Sequence, residues 1–151
     1  MNYKQGDLIQ AYKDEDVKWL IHQIHSQGKG YAGFAGKLQK EYPDCFPLGP
    51  STPGEWHVYS GIFSICAQIY PGHCTFGDTY EGRLKRLKHA ISEIIFVYQI
   101  EDTEKIGIPL IGSGLGSDLG LKKDMTDLEY FKQYIAPALD ELGLNFIAYY
   151  L

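Results

Sequence analysis

Two glycine-rich runs, each directly after an apolar run, are the parts of this 151-residue chain whose residue types could do chemistry. The first is Gln27 to Gly33, after Val17 to His25, and the second is Gly112 to Gly120, after Lys105 to Ile111. A glycine-rich turn leaves backbone N–H groups pointing outward with no Cβ in front of them. Where the turn also opens a helix, as the first does, the helix dipole adds to the attraction for an anion. A pyrophosphate can be held this way without Lys or Arg, so a net charge of −5 is no obstacle. Beside these runs stand His22, His25 and Asp118, which can move a proton. Plainer readings stand beside these: His22 as a hydrogen-bonded core histidine, Asp118 as a helix cap, and Gln68, at the end of a later strand, as a surface amide. Strand alternation sends His22 and His25 to opposite faces unless the strand breaks before His25.

Gly28-Lys29-Gly30-Tyr31-Ala32-Gly33 matches the dinucleotide fingerprint G-x-G-x-x-G. That fold needs a second strand with an acidic end about 20 residues on. Here that region is Cys45-Phe46-Pro47-Leu48-Gly49-Pro50, whose prolines reject a central strand. A P-loop is excluded because Leu38 follows Gly36-Lys37. His22, His25, His73 and Cys74 lack zinc-site spacing, so no metal is expected.

The elements that must position these groups alternate between strand and helix. Asp7 to Ala11 reads as a first short strand and Val17 to His25 as a buried one. Phe34 to Tyr42 reads as a helix stopped by Pro43. Trp56 to Ile69 reads as one or two strands interrupted near Gly61. Asp78 can cap the next helix, with Glu81 three residues on as in a capping box. Leu84, Leu87, Ile91, Ile94 and Ile95 form its apolar stripe. Lys105 to Ile111 is a strand. Thr126 and Glu129 cap a last helix, which Pro137 should kink or split, and Asn145 to Tyr150 closes the chain as a strand. This pattern predicts a single α/β domain over residues 1–151, a three-layer α/β/α sandwich around a mixed sheet.

Length and a hydrophobic content of 44% suit one globular domain with an ample core. The three cysteines, Cys45, Cys66 and Cys74, show no paired spacing and read as reduced thiols. The polar run Met1 to Gly6 does not read as a signal peptide, and no apolar run approaches a membrane span, so a cytosolic protein is expected. Lys and Arg cluster only from Arg83 to Lys88, read as a solvated helix face. Such a chain fits non-specific nucleic-acid binding poorly.

Taken together, the sequence resembles a macro domain over nearly its whole length. Gly6-Asp7-Leu8 looks like the family's opening, whose aspartate binds the adenine amino group. Leu20 to Gly28 is similar to the second strand and first loop of the branch holding ADP-ribose-1''-phosphate phosphatases and small ADP-ribosyl-glutamate hydrolases. Ala32-Gly33-Phe34-Ala35 matches the following helix start, and Ile108 to Leu115 the phosphate loop. The resemblance implies a fold of the macro type that binds ADP-ribose or a derivative, free or protein-linked, with no cofactor. It places the ligand on Asp7, Leu8, His25, Gln27, Tyr31, Ala32, Gly33, Phe34, Gln68, Gly112, Ser113, Gly114, Leu115, Gly116 and Ser117, with Tyr149 and Tyr150 beside the adenine. The hydrolase branch has a lysine where Gln68 stands and an aspartate where Gly116 stands, with Asp118 two residues later. His22 matches a histidine of the phosphatase branch. Hydrolysis of a 1''-linked group, with His22 and Asp118 as bases, is therefore implied. The alternatives are a reader without turnover, an ADP-ribosyl-protein hydrolase and, further off, a Rossmann-type dinucleotide binder.

Overall fold

The computed structural model describes residues 1–151. Six strands form one sheet in the order β1-β6-β5-β2-β4-β3: β1 Asn2–Gln5, β2 Trp19–His25, β3 Trp56–Tyr59, β4 Ile62–Gln68, β5 Lys105–Ile108 and β6 Asn145–Tyr150. All neighbours are parallel except β3 and β4. Those two form a hairpin whose turn residues, Ser60 and Gly61, both have positive φ, the twist that two-residue hairpins require.

Two helices cover one face: α1 (Leu8–Lys13) and α2 (Gly33–Glu41). Their apolar residues pack with Leu20, Ile24, Ile62, Cys66 and Tyr149. The other face carries α3 (Tyr80–Tyr98), a short α4 (Leu119–Lys122), and a continuous helical stretch made of α5 (Asp127–Tyr130), a π-helical turn (Phe131–Ile135) and α6 (Ala136–Asp140). A 19-residue core lies between these helices and Ile21, Phe63, Ile65, Ile106, Ile108 and Phe146. The result is the expected three-layer sandwich with a mixed sheet. No helix is long and apolar enough to cross a membrane.

Several local expectations are corrected. Asp7 to Ala11 is not a strand: Asp7 caps α1, its Oδ1 accepting from Ile9 N at 2.9 Å. Apolar residues at 8, 9 and 11 fit either period over so short a run, and the first strand is instead the polar edge strand β1. Thr79, not Asp78, caps α3, accepting from Gly82 N at 3.1 Å. The basic cluster is not a solvated face, because Arg83 is buried and Arg86 is ion-paired with Asp78. β5 stops at Ile108, before Pro109. The Thr126–Glu129 capping box forms as expected. Pro137 sits at the start of α6, after the π turn, which absorbs the missing backbone donor.

The first glycine run is held down at Gly28. Its φ is +81°, and a Cβ there would lie 2.5 Å from the Pro50 nitrogen. Gly28→Ala should therefore cost at least about 1–3 kcal/mol, because positive φ and a rigid backbone clash act together. Urea denaturation measures it, and a loss below about 0.5 kcal/mol would contradict that packing.

Candidate functional site

The sheet order creates a natural crevice. From β2 the chain crosses over through α2 toward β4, and from β5 it crosses through α4–α6 on the opposite face toward β6. The loops after β2 and β5 therefore part above the strand carboxyl ends, where open α/β sheets bind ligands. A cleft of about 1010 Å³ lies there.

The two glycine runs supply its polar walls. Ala32 precedes α2 without a side-chain cap, so the N–H groups of Gly33, Phe34 and Ala35 donate to no protein acceptor. Opposite, the loop after β5 is braced internally. Ile111 N donates to Pro109 O, Ser113 N to Leu110 O and Ser117 N to Gly114 O. That leaves the N–H groups of Gly112, Gly114, Leu115 and Gly116 unpaired. Gly116 allows a close approach from below: a Cβ would meet the amide nitrogens of Gln68 at 2.8 Å and Gln23 at 3.3 Å.

Behind this loop lies a buried ion cluster. The Asp78 carboxylate accepts from Ile69 N, Tyr70 N, Arg83 (Nη2 at 2.8 Å) and Arg86 (Nη2 at 2.5 Å). Burial alone would raise its pKa, but the Arg83 hydrogen bond and the backbone donors hold it below the ordinary value. Arg83 then reaches on to the carbonyls of Gly72 at 2.8 Å and Gly116 at 3.0 Å. It ties the rim after β4 to the loop after β5.

The inner wall is aromatic. A register shift between Ile24 and His25 breaks the alternation of β2. His25 thereby joins Tyr31 (ring centroids 4.7 Å apart), on the side where His22 packs against Phe34 and Phe46. Ser64 Oγ bonds His22 Nε2 at 2.6 Å. Burial pushes the His22 pKa down to about 3 and lowers that of His25. Both rings are neutral near pH 7.

Most of the residues expected at the site meet here: Asp7, Leu8, His22, His25, Tyr31, Ala32, Gly33, Phe34, Gln68, Gly112, Gly114, Leu115, Gly116, Tyr149 and Tyr150 line the cleft. Gln68 is buried, its amide donating to Gly72 O at 3.3 Å. Four lie off the lining. Ser113 and Ser117 are buried inside the loop, bonding Ile111 O and Gly114 O. Gln27 turns its amide to Ile69 O at 3.1 Å. Asp118 caps α4, accepting from Leu121 N at 3.0 Å. Lining residues that sequence reasoning missed include Gln23, Pro71, Gly72, Thr126 and Asp127. Thr126 and Asp127 carried a helix-start signal, but nothing local linked it to the glycine runs. Three free cysteines are present, two of them buried, and no group of three His, Cys, Asp or Glu side chains is placed to hold a metal.

No protein-family model and no curated protein matches the sequence. Solved structures do match. The macrodomain of Mycobacterium tuberculosis DarG superimposes with a TM-score of 0.69 at 19% identity, over 98% of this chain and 95% of that one. The macrodomain of Thermus aquaticus DarG gives 0.64 at 20% identity, over 99% and 97%. The Trypanosoma brucei macrodomain, solved in complex with ADP-ribose, gives 0.59 at 12% identity, over 99% of this chain and 63% of that one. The layered α/β architecture of this chain is thus that of the macrodomain fold.

Proposed function

We propose that this protein binds ADP-ribose or a close derivative in the cleft. The observation that carries the reading is the pair of facing N–H sets, Gly33–Ala35 and Gly112 with Gly114–Gly116, at the switch point of the sheet. Together they match the oxygens of a diphosphate and need no cation. The edge of the sheet then gives the diphosphate two flanks. Toward β6 lie Asp7, Leu8, Tyr149 and Tyr150, with one Asp7 oxygen left for an exocyclic amine while the other caps α1. Toward β2 and β4 lie His25, Tyr31 and Gln68. An adenosine on the first flank and a ribose on the second fill the cleft. The Trypanosoma brucei macrodomain, solved with ADP-ribose, shares this fold.

Calorimetric titration with ADP-ribose should give micromolar affinity, about −8 kcal/mol. NAD should bind at least about tenfold more weakly, because the wall at His25 and Tyr31 closes the end that a nicotinamide would need. No heat with ADP-ribose at millimolar concentration would sink the reading, and tighter NAD binding would restore the dinucleotide alternative.

Hydrolysis at the 1'' carbon is a second reading, favoured by one observation: His22 Nδ1 has no partner and its ring lines the cleft. In that reading His22 accepts a proton from the attacking water, and the loop N–H groups stabilise the leaving group. Asp118 would have to leave its capping role to take part. The test is turnover of ADP-ribose-1''-phosphate and of ADP-ribosylated protein. Activity unchanged in both His22→Ala and Asp118→Asn would remove these residues from the mechanism.

A further inference from the structure

The cleft continues past the diphosphate site. On the β6 side it runs on as a groove between α1 and α2, lined by Gln10 and Lys13 of α1 and by Lys37, Lys40 and Glu41 of α2. Positions 33, 37 and 40 share one face of α2, being spaced four and then three apart. The stripe that begins with the free Gly33 N–H therefore goes on as two lysines, about 6 and 10 Å along the helix axis. Both are exposed.

The carboxylates on this wall are already engaged. Glu41 accepts from Lys13 Nζ at 2.9 Å, a pair that ties the end of α2 to the end of α1. Asp14 accepts from the Gln10 amide at 2.9 Å, and Asp7 Oδ1 caps α1. Lys37 and Lys40 take part in none of the ion pairs of the chain. Lys13 and Lys40 stand in the last turns of their helices, where a cation also answers the helix dipole. Lys37 lies mid-helix and has no such duty.

We infer that this groove receives a phosphomonoester carried on the adenosine ribose, held by Lys37 and Lys40. The inference rests on the ADP-ribose reading. With the diphosphate on the α2 N-terminus and the adenine beside Asp7, the ribose that joins them lies at the mouth of the groove. Its 2' and 3' hydroxyls are the positions there that can carry a further group. A phosphomonoester has a charge of about −1.5 to −2 near pH 7 and three acceptor oxygens, so it can meet two ammonium groups at once. Lysine suits this task, as a point charge on a flexible stem. On a chain with a net charge of −5, the local pair offsets the repulsion that a third phosphate would otherwise meet.

Titration of the wild-type protein with ADP-ribose and with ADP-ribose-2'-phosphate, at low and at high salt, tests this. The 2'-phosphate should bind about three- to tenfold more tightly at low salt, and the gain should shrink at high salt, as for exposed ion pairs. Adenosine 2',5'-bisphosphate and 3',5'-bisphosphate, each compared with AMP, decide which hydroxyl carries the group. Lys37→Gln combined with Lys40→Gln should erase the gain, bringing the 2'-phosphate to the affinity of ADP-ribose. Lys37→Gln alone should remove part of it. Equal or weaker binding of the 2'-phosphate, with no gain for the 3',5'-bisphosphate either, overturns the inference while leaving the ADP-ribose reading intact. So does a gain that survives in the double variant. An equal loss for ADP-ribose and its 2'-phosphate in that variant also overturns it, because the lysines then serve the cleft as a whole. Failure of ADP-ribose to bind the wild type would fell the parent reading and this inference with it.

Discussion

Arg83→Met should destabilise the protein by about 3–5 kcal/mol, the cost of breaking a buried ion pair from one side. Arg83 and Asp78 are 5% and 1% exposed. The substitution leaves the Asp78 carboxylate with Arg86 as its sole cationic partner, and Arg86 is itself partly exposed. It also takes the donor from the carbonyls of Gly72, Gly116, Tyr70 and His73. The loss is a large share of the whole stability of a domain this size, typically 5–15 kcal/mol. Asp78→Leu should be costly for the mirror reason, since it leaves a buried guanidinium. The double variant should lose much less than the two single losses combined, because no unpaired charge then remains. Urea denaturation of the four proteins gives the cycle. Single losses below about 1 kcal/mol would mean that water reaches the cluster and that it does not brace the loop.

This cluster shows where sequence reading stopped. Arg83 to Lys88 is a basic run on a helix, and a basic run usually faces solvent. What buries Arg83 is Asp78, five residues upstream and outside the helix, together with carbonyls from two loops 10 to 33 residues away. No local pattern encodes that convergence. The strands at the sheet centre were legible because both faces are covered, so Leu20, Ile21 and Ile24 form a near-continuous apolar run. β1 was not, because a polar edge strand of four residues has no apolar signal. Its partner β6 was readable from Asn145 to Tyr150. At the site, the glycine runs declared themselves through composition. The residues reaching the cleft from elsewhere, Gln23 on β2 and Asp127 on α5, carry no signal that links them to the glycine runs until the loops are folded together. The bulge before His25 is a similar case: alternation separates the two histidines, and only the register shift against β4 returns them to one wall.

The second large effect is acid lability set by His22. Burial brings its pKa from an ordinary 6.5 to about 3 in the folded state. In the unfolded chain the ring takes up a proton as pH falls through 6.5, and in the folded protein it does not until near pH 3. Across that window the unfolded state binds more protons, so stability falls as pH falls, by up to about 1.4 kcal/mol per pH unit. Above pH 6.5 the ring is neutral in both states and contributes no slope. Between pH 6.5 and 4.5 the loss from this one residue should reach about 2–3 kcal/mol. The depressed Asp78 pKa gives a loss of the same sign, but only at lower pH, as the carboxylate approaches its unfolded value of 3.8 and below. His25, also lowered by burial, adds to the slope in the same direction. Comparison with His22→Phe isolates the His22 part, since the phenyl ring can still pack on Phe34 and Phe46 and cannot titrate. The variant loses the Ser64 hydrogen bond and should be less stable at pH 8, yet its urea midpoint should fall less steeply on acidification than that of the wild type. Parallel midpoint curves for the two proteins would show that His22 protonates freely in the folded state. The inner wall would then hold a cation at mildly acid pH.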